Sequence, residues 1–372
     1  MKSSSINRKL AMSNADDFSK FPQAQGEDVK ERPQPADDPT EGISSGHADL
    51  LEMMQRTIKR LEKDETSRGD LKILNRTLKE LRFAFKVFQP YRRRRKVTVF
   101  GSARTKPEQG SYQQAVEFGR AMSRQGWMTI TGAGGGIMEA GHVGAGQELS
   151  MGLNIHLPFE QSANYIIEGD PKLVTMKYFF TRKLMFLKES SAVVSLPGGF
   201  GTLDETAEAL TLLQTGKQTM IPVVLLDEPG GDFWKHFGEF VTKTLLHDGM
   251  ISPEDEALYT ITDSVDAAVE ETLKFYRVYH SMRYVGDTLV LRVNNKLTEE
   301  QVDQLNEKFS SILVEGKIEQ GAALPAESNE PELAELPRIK MRFDRKQLGK
   351  LRMLINMINE TCPACETTAS VS

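Results

Sequence analysis

Cysteine is nearly absent from this chain: among 372 residues only Cys362 and Cys365 carry thiols, both close to the C-terminus. A disulfide framework is excluded, and a reducing cytoplasm is the expected setting. Long hydrophobic runs are missing too. No stretch of about 18 apolar residues occurs, so no membrane span or membrane partner is expected. The opening MKSSSINRKLAMSNADDF has charge but no apolar core of a secretory signal. Nor is there an excess of positive charge, since 47 Lys and Arg against 52 Asp and Glu leave a formal net charge of −5. Proteins built around a nucleic-acid backbone usually show a strongly basic face, so no nucleic-acid partner is expected. The basic run Arg92–Lys96 reads as the end of a helix abutting a buried strand. Metal-ligand spacing such as H-E-x-x-H is absent around His142 and His156, and Cys362-Pro-Ala-Cys365 is half a zinc pattern without its second half. No metal is expected.

What is present is a hydrophobic fraction of 39%, enough for a real core. Residues 1–45 are rich in Ser, Asp, Glu, Gln and Pro, cannot offset their ordering entropy, and read as a disordered tail. Leu50, Leu51, Met54, Ile58 and Leu61, then Leu74, Leu78, Leu81, Phe85 and Phe88, recur at helical spacing. With DETSRGD between them and Pro90 after them, they predict a helical hairpin over 46–90. From 91 to 280 strands alternate with helices. Strands are predicted at 97–100, 127–131, 152–157, 192–196, 221–226 and 258–262, and helices at about 111–125, 137–148, 176–190, 202–215, 233–246 and 264–279. The pattern implies βαβ units and a Rossmann-like, doubly wound parallel sheet of the α/β class. The strands are continuous apolar runs, as in a sheet covered on both faces. Residues 284–361 read as a small α+β appendage, with strands at DTLVLRV and RIKMRF, helices at 298–313 and 345–359, and a polar linker at 319–337. A tail follows at 362–372.

Ligands of such sheets sit outside the C-terminal strand ends, near the switch in strand order. Three loops stand there. Gly101-Ser102-Ala103-Arg104 lets a ligand approach the backbone, or merely makes a tight turn. Gly132-Ala133-Gly134-Gly135-Gly136 precedes a helix and presents amides suited to a phosphate through Gly134, Gly135 and Gly136. The dinucleotide pattern G-x-G-x-x-G fails at Ile137 and Glu139, and no Walker lysine follows. Pro197-Gly198-Gly199-Phe200-Gly201-Thr202-Leu203-Asp204-Glu205 forms a second anion site, centred on Gly198, Gly199, Gly201 and Thr202. Thr202 and Glu205 also fit a T-x-x-E capping box, a purely structural role that competes with a catalytic one for Glu205. The pair Arg182-Lys183, by itself, reads as a solvated helix face.

GAGGGIMEAG, TRKLMF and PGGFGTLDE, in this order and spacing, together resemble the LOG family of cytokinin riboside 5′-monophosphate phosphoribohydrolases, long mislabelled lysine decarboxylases. The likeness covers about 95–280, and GLNIHLPFEQSAN and LTLLQTGK resemble its longer bacterial branch. The resemblance implies a nucleoside 5′-monophosphate substrate, water as acceptor, and free base plus ribose 5-phosphate as products. It maps the catalytic pair onto Arg182 and Glu205. Lys183 is expected at the phosphate, where with Arg182 it offsets the repulsion between that anion and Glu205. It also implies a homodimer or larger homo-oligomer. Glu139 stands where the family usually has a small residue, a mark of subtype. A lysine decarboxylase would need pyridoxal phosphate on a Schiff-base lysine. No residue is singled out for that, and no cofactor is expected. The alternative reading is a nucleotide- or cofactor-binding carrier that uses the same loops without turnover.

Overall fold

The computed structural model describes residues 48–156 and 163–361; the tail at 1–45 and the Cys362/Cys365 segment lie outside the described residues. The chain divides into two compact units between Ser67 and Arg68. In the first, α1 (Ala48–Lys63) forms as its apolar periodicity predicts, with Leu50, Leu51, Met54 and Ile58 exposed.

The second unit opens with α2 (Arg68–Phe88), so the last three residues of DETSRGD already belong to the helix. A seven-stranded parallel sheet follows, built from β1 (Lys96–Phe100), β2 (Met128–Thr131), β3 (Ser150–Ile155), β4 (Leu173–Met176), β5 (Ala192–Ser195), β6 (Val223–Leu226) and β7 (Thr260–Thr262). Its order is β4-β3-β2-β1-β5-β6-β7. The chain winds outward from β1 to β4, then returns to pair β5 beside β1, so the order reverses there. The connecting helices are α3 (Gly110–Arg124), α4 (Ile137–Leu149), α5 (Phe179–Glu189), α6 (Phe200–Gln214), α7 (Phe233–Phe240, continued as a π-helix through Leu246) and α8 (Val265–Lys274). Apolar runs reflect two covered faces. Val97, Val99, Val194 and Val224 join a core with Phe118 and Met122 of α3, whereas Phe100, Met128, Ile130, Val193 and Leu225 face the opposite one.

That opposite core continues into a second sheet. β8 (Tyr279–Val285), β9 (Thr288–Val293), β10 (Leu313–Gly321) and β11 (Arg338–Phe343) form an antiparallel sheet in the order β10-β11-β9-β8. With α9 (Glu299–Phe309) and α10 (Leu348–Thr361), its Leu289, Leu291, Ile339 and Met341 share one cluster with Leu213, Met220 and Trp234. Above this sheet Glu327 is buried between Arg292 and Arg338, at 2.8 and 3.2 Å.

Three strands differ from the sequence-based expectation. β4 lies just before the helix expected from 176, where no strand was expected, and that helix begins at Phe179; the strand's burial alternates over only four residues at a sheet edge. The helix expected to reach 279 ends at Lys274, and β8 begins at Tyr279, where no strand was expected. β10 takes the end of the 298–313 helix and the start of the 319–337 linker; it is mostly exposed, so no apolar period marks it. Among the described residues no helix is long and apolar enough to cross a membrane.

Candidate active site

The three loops meet at the β1/β5 reversal. Ser102 N–H donates to Pro197 O at 3.1 Å, and Ile137 N–H donates to Ser102 O at 3.0 Å. Gly136 has φ +64°, and a Cβ there would collide with the Ser102 and Ala103 backbone, so only glycine closes this junction. Ala133 also has positive φ, at 61°. It is held by Thr131 Oγ1 on its amide (3.0 Å) and by the Asn164 amide on its carbonyl (2.8 Å). Behind them His142 is buried, its Nε2 3.0 Å from both Thr131 Oγ1 and Met151 O. Burial depresses its pKa to about 4, so it is a neutral strut of the scaffold. Glu139 turns away to accept a bond from Tyr112 OH at 3.0 Å.

α5 and α6 bring the charged groups. A cavity of about 660 Å³ opens over the strand ends, and Gly101, Ser102, Gly199, Gly201, Thr202, Arg182 and Glu205 all line it. Arg182 lies over the Phe179 and Phe186 rings, at 4.9 and 5.6 Å, with Nη2 4.0 Å from Glu205 Oε1. α6 starts at Phe200 with Gly199 as its N-cap, which puts Thr202 at the third helical position. The T-x-x-E capping box therefore does not form, since it requires Thr at the N-cap itself. Glu205 lies a turn deeper, and its Oε2 is buried with no hydrogen-bond partner among the described residues. Burial raises its pKa to about 7, against the pull of Lys183 and Arg182.

The remaining expected residues sit elsewhere. Gly134, Gly135 and Gly136 are outside the cavity wall; Gly135 and Gly136 back onto the 101–104 turn. Gly198 faces a neighbouring hollow and is packed against Thr202 Oγ1. Lys183 is engaged by carboxylates, 2.8 Å from Asp204, 2.7 Å from Glu208 and 3.8 Å from Glu205. Its place is a brace between α5 and α6, because three acids already satisfy its ammonium. Sequence reasoning overlooked Phe179 and Phe186, which line the cavity on either side of Arg182. Their spacing of seven, two helical turns, was the available signal. It also overlooked Met138 of the glycine loop's helix, which lines the same wall. Among the described residues no group of three or more His, Cys, Asp or Glu could hold a metal ion.

Sheet order and site position together define a Rossmann-like α/β protein with an anion-suited, carboxylate-bearing cleft at its topological switch point. A family model described as "Possible lysine decarboxylase" matches residues 132–272. A cytokinin riboside 5′-monophosphate phosphoribohydrolase of Arabidopsis thaliana is 30% identical over 166 residues, 43% of this chain and 73% of the relative. The protein of that name from Mycobacterium tuberculosis is 29% identical over 162 residues, 42% of this chain and 81% of the relative. A "Probable cytokinin riboside 5′-monophosphate phosphoribohydrolase" of Oryza sativa subsp. japonica is 33% identical over 166 residues, which span 43% of this chain and 63% of that protein. The chain belongs to this LOG family. Among solved structures, the molybdenum cofactor binding protein of Rippkaea orientalis aligns at 21% identity and a TM-score of 0.34, covering 48% of this chain and 94% of that one. The molybdenum cofactor carrier protein of Chlamydomonas reinhardtii aligns at 23% identity and a TM-score of 0.34, covering 49% of this chain and 99% of that one.

Proposed function

We propose that this protein hydrolyses the N-glycosidic bond of a nucleoside 5′-monophosphate, such as AMP or a cytokinin riboside monophosphate. The observation that carries the reading is Glu205, a buried carboxylate with its pKa raised to about 7, in a cavity floored by amide-rich turns and facing Arg182. The phosphate docks on the first-turn amides of α6 and the Thr202 hydroxyl, where the helix dipole favours an anion. The ribose then lies beside Glu205. As the C1′–N bond breaks, positive charge develops on the sugar, as in glycoside hydrolysis, and the ionised carboxylate stabilises it and orients water. Water adds to C1′ and a proton passes to the leaving base. Arg182 stays protonated, so its part is electrostatic: it offsets negative charge on the departing base. Phe179, Phe186 and Met138 supply apolar surface for a base.

Incubating the full chain with AMP, GMP, CMP and UMP and following free base by chromatography tests this. Release that disappears in Glu205→Ala is expected. Tight binding with no release from any nucleotide would overturn the hydrolase reading in favour of a carrier. We further propose a homodimer or larger homo-oligomer as the working form. Phe179, Phe180 and Leu184 of α5, each about half exposed beside the cavity, support this.

A further inference from the structure

The stretch matched by the family model begins at residue 132, so α2 lies outside it. One α2 side chain nevertheless reaches the helix that carries Arg182. Glu80 is 5% exposed and sits among the residues that α2 buries, beside Ala84 and Phe88. An apolar side chain there would pack the two helices without desolvating a charge. The carboxylate is instead fully engaged. Oε1 accepts from Lys177 N–H at 2.8 Å and from Arg76 Nε at 2.6 Å, while Oε2 accepts from Thr181 Oγ1 at 2.8 Å. Burial pushes its pKa up, but these bonds outweigh that and hold it below the ordinary value. Lys177 precedes α5 and Thr181 adjoins Arg182. The N-cap residue of α5, Tyr178, makes no side-chain cap bond. Glu80 brings from another helix a negative charge to this N-terminus, where the dipole favours it, and ties down the residue before the N-cap and the hydroxyl of the third helical residue.

We propose that Glu80 is a positioning residue for Arg182, setting the rotation of the first turn of α5 and hence the place of the guanidinium over the cavity. This rests on the role given to Arg182 above. Rotating a helix by about 10° carries a side-chain tip by ~1 Å, since its side-chain envelope has a radius of roughly 5–6 Å. The Lys177 and Thr181 bonds together resist that rotation. A misplacement of about 1 Å in a catalytic constellation costs up to about 10²-fold in rate.

Glu80→Ala, Glu80→Gln and Arg76→Ala in the full chain provide the test, with AMP turnover, thermal midpoint and backbone hydrogen exchange measured together. Glu80→Ala is expected to lower kcat by about 10–10²-fold, with little change in KM. Exchange should quicken at 177–184 and not along α6. Glu80→Gln, which keeps one acceptor oxygen and a donor, recovers most of the rate and the protection. Arg76→Ala, which leaves the Lys177 and Thr181 bonds in place, keeps wild-type kcat and exchange at 177–184 and lowers only the thermal midpoint. Wild-type kcat in Glu80→Ala, or unchanged exchange at 177–184, overturns the inference. So does a loss spread over the whole sheet that Glu80→Gln fails to restore, which would mark simple packing. If the wild-type protein releases no base, the hydrolase reading fails alone, and exchange, which needs no turnover, decides the Glu80 inference by the same criteria.

Discussion

Glu205 sits where an ionised carboxylate is costly, and that cost is its usefulness. With its pKa raised to about 7, the group is protonated below neutrality and ionised above it. Because the proposed role needs the ionised form, kcat/KM should rise with pH through about 7 in a pH–rate profile, and Glu205→Gln should abolish that limb along with at least ~10²-fold of the rate. Stability carries the opposite sign. The folded state holds the proton more tightly than the unfolded chain, whose value is near 4.5, so folding free energy is lost as pH rises from there through about 7. Glu205→Gln should therefore stabilise the protein at pH ~8, by up to roughly 3 kcal/mol, and should gain nothing below pH ~4. Urea titrations at the two pH values check this. A variant that is equally stable at both would mean that Glu205 is not strained in the folded state.

At the level of elements, the loops do their work through each other. Gly136 holds the glycine-rich turn against Ser102, and Ser102 is tied in turn to Pro197. Gly136→Ala meets both a left-handed φ and a backbone collision, so a loss of at least ~2 kcal/mol is expected. Weaker AMP binding should accompany it, although the residue lines no cavity; calorimetry and thermal melts read both. Glu327 plays a comparable part above the second sheet. Burial pushes its carboxyl up, but the Leu324 amide and the Arg292 and Arg338 guanidinium groups hold it at about 2. Glu327→Gln leaves the buried Arg338 guanidinium without its carboxylate, while Arg292 keeps Glu330, and should cost about 3–5 kcal/mol, seen as a lowered denaturation midpoint. The helices were legible from the 3.6-residue period, and the central strands from their apolar runs. β4, β8 and β10 were not, because edge strands bury few side chains and carry little pattern.

For the whole molecule, the joint core of the two sheets is decisive. Leu351, Leu354, Ile355 and Ile358 of α10 belong to the cluster that holds Leu213 and Met220 behind the parallel sheet. Removing 279–361 should therefore expose that face and give aggregated protein, measured as loss from the soluble fraction. A well-folded, monodisperse truncation would show the parallel sheet to be independent. Light scattering should report a dimer or larger species, and Phe180→Asp on the exposed face of α5 should shift it toward monomer.

Read alone, the residue order determined the parallel α/β class and the three strand-end turns, which short-range spacing and motifs of consecutive residues carry; the pairing of Arg182 with Glu205 came only from the resemblance to the LOG family. Tertiary structure alone decided that Glu205 is buried with its pKa raised to about 7, that Lys183 is claimed by three carboxylates, that Gly135 and Gly136 back the first loop, and that Glu80 reaches α5. Ionisation and hydrogen bonding depend on groups tens of residues apart that meet only once the chain has folded.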